Sequence, residues 1–130
     1  MLRAWVGRMI PTTQHPNSVA AAKAIREAGI PKARADRRAI TDYIATQGAA
    51  GATDEELARA LPLINTNALR ARRGECIEFG VITDQLGERR KTVSGNSATV
   101  HHVTKRGLVA LGLDPAGHFH ADQMPKAGKP

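Results

Sequence analysis

Residues 53–104 read TDEELARALPLINTNALRARRGECIEFGVITDQLGERRKTVSGNSATVHHVT. Thr53 followed by Glu56 makes a capping box: the hydroxyl takes the amide at the third helical position, and the carboxylate returns to the Thr53 amide. Asp54 and Glu55 suit the positive end of the same helix. Leu57 and Leu61 form an apolar pair one turn apart, with small Ala58 beside them. Pro62 ends the helix near Ala60, because the residue before a proline is driven out of helical geometry. Pro62 to Ile64 is a turn. Asn65 leads as the cap of the next helix, with Thr66 and Asn67 as alternatives, and that helix runs to about Phe79 with Gly80 as its stop. Leu69, Cys76 and Phe79 face inward, with Ile77 at the margin. Gly74 in mid-helix costs about 1 kcal/mol relative to alanine, which points to a close approach by another element.

A change of period follows. Val81 and Ile82 begin a short strand, residues 87–97 (GERRKTVSGNS) form a basic hairpin tip, and Ala98 to Val103 return as a strand. On that strand adjacent His101 and His102 point to opposite faces. Thr104 caps a short closing helix, Lys105 to Leu111, ended by Gly112. Upstream, Ser18 caps an alanine-rich helix that stops at Gly29, and Pro31 opens a new one over residues 32–47. There Ile40, Tyr43 and Ile44 share a face. The sequence therefore divides into a lead-in over 1–16, an accessory helix in 17–30, one folded domain over 31–113, and a tail over 114–130. The tail has little to bury and is expected to be mobile. Trp5, in the lead-in, either packs back on the domain or lies at a partner surface.

The 130 residues suffice for one core and not comfortably for two. Only 3% are aromatic, so the core is aliphatic and a base-stacking surface for single strands is poorly supplied. Nineteen basic against twelve acidic residues give a net charge of +7, which fits a polyanionic partner or an acidic protein. The single Cys76 excludes an internal disulfide and reads as a small buried hydrophobe. No stretch approaches the roughly 20 apolar residues of a membrane span, so the expected compartment is the cytoplasm. His118 and His120 lack a convincing third ligand, and no phosphate loop or nuclease carboxylate cluster is apparent. No metal, cofactor or enzymatic activity is expected.

Two short helices followed by a basic hairpin make double-stranded DNA the first partner to consider. The second helix presents Asn65, Thr66, Asn67, Arg70, Ala71 and Gly74, flanked by Arg72 and Arg73. Asparagine pairs with adenine and arginine with guanine. Asn65 is better explained as a cap. Arg72 and Arg73 either meet DNA or pair with Glu75, Glu78 or Glu88. The hairpin offers Arg89, Arg90, Lys91, Thr92, Ser94, Asn96 and Ser97 to a backbone or a minor groove. Lys32, Arg34, Arg37 and Arg38 serve either flanking phosphates or a solvated helix face.

The segments RRAITDYI, TDEELARALPL, NTNALRARRGECIEFGVI and GERRKTVSGNSATVHHVT resemble the winged-helix DNA-binding fold, and more loosely the small phage and prophage proteins of that fold. The resemblance covers about half the chain. It implies a mainly α fold with a small β-wing, a winged helix-turn-helix, and DNA contact at Asn67, Arg70 and the Arg89 to Lys91 tip. The function it implies is a transcriptional regulator or a phage DNA-transaction factor, acting with a second copy or a helper protein. The alternative is a winged-helix module that docks on a polymerase or replication component.

Overall fold

The computed structural model describes residues 19–123. The lead-in with Trp5, the Ser18 cap and residues 124–130 of the tail lie outside them. The chain divides into two units, residues 1–34 and 35–130. Helix α1 spans Val19–Gln47 and contains Pro31. The break expected between Gly29 and Pro31 is therefore absent. A proline inside a helix removes one hydrogen bond, but the alanines before it and the apolar periodicity after it favour helix on both sides.

The second unit is built in a simple order. After α1 comes one 3-10 turn, Gly48–Ala50. Gly51 then takes φ +60°, and Ala52 exchanges two backbone hydrogen bonds with His101, of 2.9 and 2.8 Å. Helix α2 is Asp54–Ala60, with both halves of the Thr53/Glu56 capping box formed. Helix α3 is Thr66–Glu78, and the Asn65 side chain caps it by accepting from the amides of Asn67 and Ala68. Strands β1 (Ile82–Thr83), β2 (Arg89–Lys91), β3 (Ser97–Thr99) and β4 (His102–Val103) follow, then α4 (Lys105–Ala110) under its Thr104 cap. β1 pairs with β4 (Ile82 opposite Val103), and β2 pairs with β3 (Arg90 opposite Ala98), both antiparallel. Among the described residues the fold is thus mainly helical, with four α-helices and two small two-stranded sheets.

One aliphatic cluster joins these elements: Ile40 and Ile44 from α1, Leu57 from α2, Leu69 and Cys76 from α3, Ile82, Val103 and Leu108. Each large aliphatic side chain so buried contributes on the order of 1.5–3 kcal/mol. The Cys76 thiol lies 3.6 Å from both the Thr41 hydroxyl and the Arg37 carbonyl, and burial pushes its pKa up. No helix of the described residues is long and apolar enough to cross a membrane.

Three expectations need correction. Phe79 is the C-cap of α3 and is half exposed, with the Arg37 guanidinium 5.2 Å above its ring. The chain turns away at Gly80, so the ring lies at the edge of the core and not within it. A Cβ at Gly74 would meet nothing within 4 Å, so close approach does not explain that glycine. The tail does bury something: His120 and Ala121 are buried, and Asp122 accepts the Lys105 amide at 3.2 Å.

Close approach does explain Gly107. A Cβ there would collide with the Val81 carbonyl oxygen and lie 2.8 Å from Val103 Cγ2. G107A is expected to lower stability by about 1–3 kcal/mol in urea unfolding, as overpacking does. G74A should be stabilising by up to about 1 kcal/mol. Equal effects of the two substitutions would contradict this packing.

Candidate nucleic-acid interface

The site is assembled by the acidic first turn of α2. Successive helical residues point about 100° apart, so three neighbouring carboxylates reach three different places. Asp54 takes a two-pronged contact from Arg73 of α3: Nε to Oδ1 at 2.9 Å and Nη2 to Oδ2 at 2.7 Å. His101 Nε2 lies 3.3 Å from the same Oδ1. Burial alone would raise the Asp54 pKa, but the hydrogen bonds from His101 and Arg73, with the adjacent positive charge, hold it well below the usual carboxylate range. The hydrogen bond to Asp54 likewise raises the pKa of Arg73. Glu55 Oε1 accepts the Val93 amide at 2.9 Å, from the hairpin turn. Glu56 Oε1 accepts the Thr53 amide at 3.1 Å, and both Glu56 oxygens lie 2.8 Å from Arg90 Nη1. Arg90 Nη2 also donates to the Ala50 carbonyl.

The hairpin differs from its expected form. Arg89, Arg90 and Lys91 are not its tip; they are the stem strand β2. The turn is residues 92–96, closed by the Thr92 amide on the Asn96 carbonyl at 2.7 Å and by Gly95 at φ +92°. Alternation along β2 then sorts the three cations. Arg89 folds back across the pair onto Ser97 Oγ at 2.8 Å, the Ser97 carbonyl at 2.9 Å and Thr99 Oγ1 at 3.1 Å. Arg90 turns inward to Glu56. The Lys91 side chain is exposed and has no ionic or hydrogen-bond partner among the described residues.

The cations of α3 divide the same way. Arg73 is held by Asp54. Arg72 Nη2 pairs with Glu75 at 2.7 Å, and its buried Nε has no hydrogen-bond partner among the described residues. Arg37 of α1 meets the other Glu75 oxygen at 2.8 Å. Arg70 is exposed with no partner among the described residues, as are the side chains of Thr66 and Asn67. A cleft of about 300 Å³ separates the start of α3 from the hairpin turn. Thr66, Leu69 and Arg70 line one side, Thr92, Ser94 and Asn96 the other, with Asp54, Glu55 and Ala58 from α2.

Of the candidate contact residues singled out in the sequence, the structure brings Thr66, Arg70, Thr92, Ser94 and Asn96 to one cleft. Asn67 stands exposed on the first turn of α3, and Asn65 is a cap. Arg72, Arg73, Arg89 and Arg90 are engaged within the protein. Sequence reasoning missed Asp54, Glu55 and Glu56 as tertiary contacts, because capping already accounted for them and their distant partners leave no local pattern. Comparison with known proteins returned no matching family, no matching curated protein and no matching solved structure. Among the described residues, no group of three His, Cys, Asp or Glu side chains is placed to hold a metal ion.

The Asp54 pair sets a pH dependence. A carboxyl whose folded pKa is depressed adds stability above its unfolded value, ordinarily 3.8, and loses it as pH falls toward the folded value. D54N should therefore be about 1–3 kcal/mol less stable than wild type at pH 7. The gap should close as unfolding is measured below about pH 4. A gap that persists unchanged into acid would contradict the pairing.

Proposed function

We propose that α2, α3 and the β2–β3 hairpin form a winged helix-turn-helix that binds duplex DNA. The observation that carries the reading is the outer face of α3. Thr66, Asn67 and Arg70 stand exposed and unpaired among the described residues, beside a cleft whose far wall is the hairpin turn. Most neighbouring arginines are neutralised by internal carboxylates, whereas Arg70 and Lys91 are not. In the proposed mechanism α3 enters the major groove, where Asn67 and Arg70 meet base edges. Lys91 takes a phosphate, and Ser94 and Asn96 at the turn meet the adjacent backbone.

The protein acts by position and not by catalysis, as a transcriptional regulator or a phage DNA-transaction factor. One such module covers a short site, so a second copy or a helper protein supplies the remaining specificity. A second reading rests on Leu63, in the turn between α2 and α3, and on Val93 at the hairpin turn. Both are almost fully exposed, at 95% and 82%. Apolar side chains so placed suit a module that docks on another protein.

A gel shift across a salt series separates the two. Wild type should retain duplex DNA, with affinity falling as salt rises. K91A should flatten that dependence by about 0.9 in the log–log slope, the share of one phosphate contact. R70A should lose base discrimination. R90A should act through folding, lowering stability by about 1–3 kcal/mol. Failure to retain any duplex at low ionic strength would overturn the DNA reading and leave protein docking.

A further inference from the structure

The cleft between α3 and the hairpin turn has mixed polarity. Asp54 cannot serve a ligand, because Arg73 and His101 occupy both its oxygens. Glu55 can. Its Oε1 accepts the Val93 amide (2.9 Å) and lies 3.5 Å from Arg59 Nη2, and Oε2 accepts no hydrogen bond among the described residues. The Glu55 side chain is about one-third exposed and lines the same cleft as the unpaired Arg70. A phosphate, which offers acceptors only, suits Arg70 and is repelled by Glu55. A cation suits Glu55 and is repelled by Arg70. The group that satisfies both is neutral and presents acceptors next to a donor. The major-groove edge of a G·C pair does this, with guanine O6 and N7 beside the cytosine N4 amino group.

We propose that Glu55 and Arg70 form a specificity-determining pair that reads a G·C pair, Arg70 on guanine and Glu55 Oε2 on the cytosine amino group. This rests on the duplex-DNA reading of the same surface. Glu55 has a second effect there: as a carboxylate facing the nucleic acid and only partly offset by exposed Arg59, it lowers affinity for every sequence that offers it phosphate or a carbonyl oxygen instead of an amino group. Specificity at this position therefore comes as much from rejection as from attraction. The Val93 amide on Oε1 orients the carboxylate, so the hairpin turn and the reading group are coupled.

The test is selection from a random duplex library, read base by base, with wild type, E55Q and R70A. E55Q keeps an acceptor for the Val93 amide, so the hairpin contact survives, and circular dichroism and melting check that it does. Wild type should select a G·C pair. E55Q should lower the preference for cytosine about five- to tenfold and admit adenine there, since glutamine both donates and accepts. It should also bind bulk non-cognate DNA more tightly. R70A should lose guanine at the same pair. If wild type selects a motif and E55Q leaves both the motif and the non-cognate affinity unchanged, the inference fails and the DNA reading stands. If wild type binds no duplex at all, the DNA reading itself has failed.

Discussion

The placement of the candidate site depends on three consecutive carboxylates in the first turn of α2. Asp54 holds α3 through Arg73 and the link between β3 and β4 through His101, Glu55 holds the hairpin turn, and Glu56 holds the hairpin stem while closing its own helix cap. A seven-residue helix is too short to be stable alone. Here Leu57 anchors it in the core and its polar end ties the neighbouring elements together. These contacts are charge-assisted but partly solvated, so each contributes modestly to stability. Their larger effect is geometric: the distance between the exposed face of α3 and the hairpin turn is set by one rigid turn of backbone.

That arrangement changes how the positive charge should be counted. The chain carries +7, yet Arg37, Arg72, Arg73 and Arg90 are paired with carboxylates inside the second unit. On the proposed duplex-DNA reading, a polyanion would meet Arg70 and Lys91 on the candidate surface; Arg38, Lys105 and Arg106 are exposed as well. On the same reading, few free cations near a carboxylate-containing cleft would favour recognition of base edges over tight, indiscriminate backbone binding.

What was legible in the sequence was local. The Thr53/Glu56 box, the Asn65 cap, the Thr104 cap and the stop at Pro62 each depend on residues within four positions, and all formed. So did the inward face of Ile40, Ile44, Leu57, Leu69 and Cys76, because a helical period fixes which side chains can share a face. The partners of Arg73 and Arg90 lie 19 and 34 residues away, and nothing in the sequence distinguishes an arginine that reaches a carboxylate from one that reaches solvent. The hairpin was placed correctly but its stem and turn were not, since three basic residues read as a tip until pairing shows them opposite Ser97 to Thr99. The burial of His120 and Ala121 was illegible because neighbours from elsewhere override local preference, whereas α1 runs through Pro31 because the residues on both sides of it favour helix.

The most direct test of the account is to add a mixed-sequence duplex to the protein and follow its backbone amides by NMR. The amides of Thr66 to Arg70 and those of Thr92 to Asn96 should shift together along one binding curve, because α2 fixes the two segments to each other. Shifts confined to other surfaces, or movement of only one of the two segments, would contradict the account.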